Sequence, residues 1–177
     1  MNKIKLATVW LDGCSGCHMS VLDMDERLVD LSAQFDLVYS PLVDMKVFPE
    51  GVDVALIEGA VSSEEDLHKI RMIRARTKTL VSLGDCAVTG NVPAMRNIWT
   101  VDSIFRRAYW DNATTQQQIP SVALPKLLAR SRPVHEVVEV DLFVPGCPPS
   151  ADTIYTVLVE LLAGRIPDVA SLTRFGK

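Results

Sequence analysis

Four cysteines, each placed where an apolar run gives way to a glycine-bearing turn, constrain this chain more than any other feature. Cys14 and Cys17 share a Cys-x-x-Cys loop within residues 9–19, VWLDGCSGCHM; Cys86 stands in SLGDCAVTG and Cys147 in FVPGCPPS. A tight turn aims two thiols of this spacing into one small volume, so such a pair can grip a soft metal centre. The pattern asks for a fold that brings the ends of several strands to one place.

The remaining sequence describes such a fold. Residues 4–11, 35–39, 52–57, 79–83 and 137–144 read as strands, short runs rich in apolar and β-branched residues. Residues 20–31 predict a helix with Val21, Leu22, Leu28, Val29 and Leu31 roughly on one face and acidic residues mostly opposite. Ser62 and Glu65 predict a capping box, opening a helix that Leu67, Ile70 and Ile73 carry towards Thr77. One or two short helices with a break near Thr100 are expected in residues 93–109, and a long loop in the polar, proline-punctuated residues 112–133. Pro148 and Pro149 end a strand and suit a helix start, so residues 150–162 form the closing helix with Ile154, Val157, Leu158 and Leu161 inward.

Strands alternating with helices predict an α/β fold, a doubly wound, flavodoxin-like parallel sheet with helices on both faces. A length of 177 residues suits one domain over 1–177. In such a sheet the strand-to-helix loops share the carboxyl edge, and ligands bind there near the reversal of strand order. Cys14, Cys17, Cys86 and Cys147 are thereby expected to converge on one edge.

Composition excludes some functions. A net charge of -4 and a pI near 5.3 offer no basic footprint for nucleic acid. No apolar stretch reaches the roughly 18 residues of a membrane span. Lys5 interrupts the first apolar run, Asp12 stands where a cleavage site wants a small residue, and no twin-arginine pair exists, so no export is expected. A cytoplasmic chain keeps its thiols reduced, which makes the cysteines ligands before disulfides. The 48% hydrophobic content and mean hydropathy of +0.18 fit either a large core or a surface covered by a partner.

Four thiolates at one site suit a tetrahedral zinc or an iron-sulfur cluster. The second pair is split along the chain, and a domain of this size needs no metal staple, which favours a functional cluster over structural zinc. A thioredoxin-like redox pair would use Cys14 and Cys17 alone and leave Cys86 and Cys147 as core thiols. A nucleotide is disfavoured, because cysteines stand where a phosphate loop needs hydroxyls and free amides, and the GxGxxG and Walker A motifs are absent. Around the ligands, His18 is expected to be exposed unless it meets a cluster sulfur or a partner. Glu58 is expected to line the site or to satisfy loop amides. Asp12 and Asp85 are expected to turn the chain, and Trp10, Trp99 and Trp110 to lie in the core or an interface.

Taken together, CSGC, GDCA and PGCPPS, in this order over nearly the whole chain, resemble the small subunit of nickel-iron hydrogenases. The short form without an export signal is most similar to the soluble, NAD-reducing branch of that family. The resemblance implies that Cys14, Cys17, Cys86 and Cys147 hold one 4Fe-4S cluster. It places the nickel-iron centre in a separate large subunit, and FMN and NAD in flavin- and iron-sulfur-bearing diaphorase subunits. The chain would then relay electrons between the two within a cytoplasmic hydrogen:NAD oxidoreductase, without holding the catalytic centre. The related cluster subunit of respiratory complex I has adjacent cysteines where this chain has Cys14-Ser15-Gly16-Cys17. Met19 stands where many hydrogenase small subunits have glutamate, so no role is carried over to it. The alternatives are a complex I-like cluster subunit and a non-enzymatic metal-binding scaffold.

Overall fold

A computed structural model of the chain describes residues 3–173. Its strands are β1 (Ile4–Trp10), β2 (Phe35–Tyr39), β3 (Val52–Glu58), β4 (Val61–Ser63), β5 (Thr77–Leu83), β6 (Leu127–Arg132) and β7 (Leu142–Val144). Five of them form a wholly parallel sheet in the order β2-β1-β3-β5-β7. The chain steps from β1 to β2 on one side and returns to β3 on the other, so strand order reverses at β1, as in the predicted doubly wound fold. The helices are α1 (Gly16–Leu22), α2 (Glu26–Ser32), α3 (Glu64–Arg76), α4 (Asp85–Thr89), α5 (Asn91–Ala94), α6 (Val101–Arg106), α7 (Ala151–Leu162) and α8 (Val169–Leu172).

Period-two alternation sends strand side chains to two apolar layers. Leu6, Leu56, Val81, Leu83 and Val144 pack with Cys17, Val21 and Met24 and with Ile154, Val157 and Leu158 of α7. Ala7, Val9, Ala55, Ile57 and Leu80 pack on the other face with Ile70 and Ile73 of α3 and Ala87 of α4. A sheet covered on both faces needs strands that are apolar throughout. Among the described residues no helix is long and apolar enough to cross a membrane.

Four expectations change. The helix expected over residues 20–31 is two, because α1 starts earlier, at Gly16, and the chain breaks at Asp25 (φ 50°) between α1 and α2. The break turns Met24 into the core and leaves Val29, expected inward, 71% exposed. The capping box of α3 lies one residue on from the expected pair: Ser63 Oγ accepts the Asp66 N–H at 3.0 Å, and Asp66 Oδ2 accepts the Ser63 N–H at 2.9 Å. Strand β4 occupies Val61–Ser63, and the Ser62 hydroxyl is engaged with Ser131 at 2.7 Å, which delays the helix start.

The expected loop at 112–133 holds β6, which pairs antiparallel with β4. Of the strand expected at 137–144, only Leu142–Val144 pairs. Val137, Val138 and Val140 instead pack against the second core layer without joining the ladder, so burial explains their apolar run.

Asp141 fastens this short edge strand. Its Oδ2 accepts the Leu80 N–H at 2.7 Å and a guanidinium N–H of Arg74 at 2.6 Å. Burial pushes the Asp141 carboxyl up, but the Leu80 amide and Arg74 outweigh it and hold the group below its usual value. A depressed carboxyl stabilises the fold above its ordinary pKa of about 4 and loses that contribution as pH falls through the lower folded value. Asp141→Ala is therefore expected to lower Tm at pH 7, with the gap to the unsubstituted protein closing between about pH 5 and pH 2. Thermal melts across that range check this, and a gap independent of pH contradicts it.

Candidate metal centre at the carboxyl edge

The loop after β1 is tied first to the loop after β3. Asp12 and Ala60 exchange backbone hydrogen bonds at 3.1 and 2.7 Å, and the Leu11 N–H donates to the Glu58 carbonyl at 2.8 Å. Gly59 permits this contact: its φ is +93°, and a Cβ there would stand 2.8 Å from the backbone of Leu11 and Asp12. Beyond the bridge, Ser15 takes a left-handed turn (φ 65°), and the Gly16 N–H donates to Cys14 Sγ at 3.4 Å.

The loops after β5 and β7 clasp one another. The Gly84 N–H donates to the Val144 carbonyl and the Asp85 N–H to the Gly146 carbonyl, both at 2.8 Å. Asp85 Oδ1 accepts the Gly146 N–H at 2.7 Å, so this aspartate turns the chain as expected. Gly84, at φ +81°, brings the pair against the first loop, since a Cβ there would lie 2.2 Å from Cys17 Sγ. Three loops far apart in sequence thus touch across the thiols.

The four cysteines lie together there as free thiols, with Cys14 and Cys147 exposed, Cys86 half-buried and Cys17 buried. Burial pushes the Cys17 thiol well up, and Glu58 and the other three cysteines add to the rise. Cys86 is raised by burial and by Cys14 and Cys147, against a hydrogen bond from the Val92 amide. Metal coordination reverses this resistance, because a coordinating thiol is deprotonated outright. Among the described residues no three His, Cys, Asp or Glu side chains are gathered as ligands of a single ion. A donor set of four thiols has the chemistry of an iron-sulfur cluster or of a tetrahedral zinc. Amide donors already face two of the sulfurs, the Gly16 N–H at Cys14 and the Asn91 side chain at Cys147, both at 3.4 Å.

Two neighbouring residues are placed unlike, or more narrowly than, their expectations. His18 is buried at 4% exposure, not exposed, and its Nδ1 pairs with Glu58 Oε2. Glu58 satisfies loop amides, accepting the N–H groups of Cys17 at 3.3 Å and His18 at 2.9 Å. Trp10, Trp99 and Trp110 are all at least 44% exposed, so none is a core residue. Asn91, whose side chain reaches Cys147 Sγ, carries no mark in the sequence that distinguishes it from other turn residues.

Fold and site define a class: a doubly wound α/β protein whose carboxyl edge gathers four thiols. The family model described as NADH ubiquinone oxidoreductase, 20 Kd subunit, matches residues 14–161, and the chain belongs to that family. It is 42% identical over 175 residues to the NAD-reducing hydrogenase HoxS subunit delta of Cupriavidus necator, covering 96% of this chain and 84% of that relative. It is also 42% identical over 169 residues to an F420-non-reducing hydrogenase subunit of Methanothermobacter marburgensis, but spans only 54% of that relative. A chain in the crystal structure of an NAD+-reducing [NiFe]-hydrogenase in the H2-reduced state superposes with TM-score 0.91 at 39% identity, covering 98% of this chain and 99% of that one. A [NiFeSe]-hydrogenase chain from Dm. baculatum, at 20% identity and TM-score 0.62, shares the fold. By this kinship the chain is a subunit of an oxidoreductase of the hydrogenase type.

Because Gly84 leaves the space that Cys17 Sγ fills, Gly84→Ala is expected to push that sulfur aside and lower metal retention by about tenfold, the usual scale for losing support around a metal site. Metal content per chain after dialysis against a chelator measures this; unchanged content contradicts it.

Proposed function

We propose that the chain, one iron-sulfur domain over residues 1–177, is the electron-transfer small subunit of a soluble nickel-iron hydrogenase. The observation that carries this reading is the meeting of Cys14, Cys17, Cys86 and Cys147 from three strand ends at one sheet edge. These four would hold one 4Fe-4S cluster, which when bound takes up and gives back single electrons. Kinship to a NAD-reducing hydrogenase subunit supports a large subunit carrying the nickel-iron centre on one side and diaphorase subunits with FMN and NAD on the other.

The chain's own residues fit that place. Cys17 is buried behind the first loop, whereas Cys14 and Cys147 stand at the surface, where a partner can approach the sulfurs closely. Apolar side chains are exposed near them: Trp10 and Met19 by the first loop, and Val92, Met95, Ile98 and Trp99 in the segment after Cys86. Exposed groups of this kind mark surfaces that partners cover, and covering them keeps water from the thiolates. Amide donors at Cys14 and Cys147 stabilise thiolate charge. The chain has no glycine-rich GxGxxG turn for a dinucleotide's pyrophosphate, so nicotinamide chemistry belongs to a partner.

The family model's description keeps a complex I-like role as the second reading, and nickel in the purified complex separates the two. A two-subunit form of this chain with its large partner is expected to oxidise hydrogen with an artificial dye yet leave NAD unreduced. Adding a flavin-bearing diaphorase should restore NADH formation. Sustained NADH formation under hydrogen by the two-subunit form, without added flavin, contradicts the relay.

A further inference from the structure

Helix α1 opens on Gly16, with the second cysteine next in line, and its first amides have no partner within the helix, as at every helix start. The residue at the capping position, Ser15, makes no side-chain cap hydrogen bond. The amide of Gly16 turns to Cys14 Sγ and that of Met19 to the Ser15 carbonyl at 3.0 Å. The two between them, of Cys17 and His18, are both accepted by the carboxylate of Glu58, the last residue of β3 and about forty positions away in the chain.

Glu58 is itself only 1% exposed. A buried carboxylate persists only when its oxygens are satisfied. Here Oε1 takes the Cys17 amide, while Oε2 takes the His18 amide and faces His18 Nδ1. The imidazole is held at its other end as well, with Nε2 3.0 Å from Thr8 Oγ1, and the Thr8 hydroxyl donates to Ser40 Oγ at 2.8 Å. Ser40 Oγ in turn accepts the Leu42 N–H at 3.1 Å. Residues from the ends of β1, β2 and β3 thus converge on one side of the Cys-x-x-Cys loop, and every link in the chain is buried or half-buried.

We infer that Glu58 is a positioning residue for the metal centre: it caps α1 from a neighbouring strand and so sets where Cys14 and Cys17 present their sulfurs, with His18 locking the carboxylate in place. This rests on the reading of the four cysteines as cluster ligands. The brace acts on one half of the site. Cys86 and Cys147 are held separately by the clasp of Gly84 and Asp85 to Val144 and Gly146, so losing Glu58 loosens the first loop and leaves the second pair as it was.

The test uses the assembled complex carrying Glu58→Ala, Glu58→Gln or His18→Gln, with Ile73→Ala as a control that opens a cavity in the opposite core layer. Three quantities are read: amide hydrogen exchange, the rate of iron release to a chelator, and the electron paramagnetic resonance spectrum of the reduced centre. Glu58→Ala is expected to speed exchange in residues 10–22 but not in residues 84–92. It should raise iron release by about tenfold and shift the resonance g-values. Glu58→Gln, which keeps one acceptor oxygen, should fall between Ala and the unsubstituted protein, and His18→Gln should reproduce the effect in weaker form. Ile73→Ala should lower Tm while leaving all three readouts unchanged. If Glu58→Ala does not assemble, the Gln variants decide the matter by the same readouts. Unsubstituted exchange, iron release and g-values in the Glu58 and His18 variants overturn the inference alone, whereas an unsubstituted complex with no acid-labile sulfide on this chain overturns the cluster reading beneath it.

Discussion

The level register of parallel strands is the constraint on which the site depends. At the carboxyl ends of three ladders, Trp10 pairs with Glu58, Glu58 with Leu83, and Leu83 with Val144, forming one row across the sheet. Cys86 and Cys147 each stand three residues past that row and Cys14 four, so the turns leave the sheet in step. A slip of one residue in any ladder would exchange the side chains a strand gives to the two buried layers and carry its cysteine out of step with the others. The two buried layers hold the row level, because each strand must keep its alternate residues under its own helices.

The same edge explains why two glycines and one carboxylate sit where they do. Loops that approach closely enough to bring sulfurs together leave no room for side chains at the crossings, at Gly59 against the first loop and Gly84 against Cys17. Loops that depart from regular structure also leave amides without partners, and Glu58, in the middle of the row, answers two of them. The apolar composition then has a surface cause as well as an internal one. Val92, Met95, Ile98 and Trp99 follow Cys86 directly and are all at least 62% exposed.

Much of this was legible in the sequence. Strand positions, the parallel fold and the gathering of four cysteines all follow from apolar runs ending in turns, a signal that survives because buried parallel strands tolerate few polar residues. What escaped has physical reasons. The break at Asp25 accompanies the burial of Met24, which no helical periodicity records. The pairing of β4 with β6 joins segments some seventy residues apart, and β6 lies in the polar, proline-punctuated stretch that reads as loop. His18 looked like a polar surface residue because its partner, Glu58, is distant in sequence; only the level register of β1 and β3 brings them together. Glu58 was legible as a residue that could satisfy loop amides, but not which amides it would take.

On the proposed function the four thiols serve one cubane cluster. Iron, acid-labile sulfide and zinc can be quantified on this chain in the anaerobically purified complex, with Mössbauer spectroscopy of the iron. About four iron and four sulfide per chain are expected, with all iron in tetrahedral sulfur coordination and the signal lost when Cys86 is replaced by serine. One zinc per chain and no sulfide would contradict that reading.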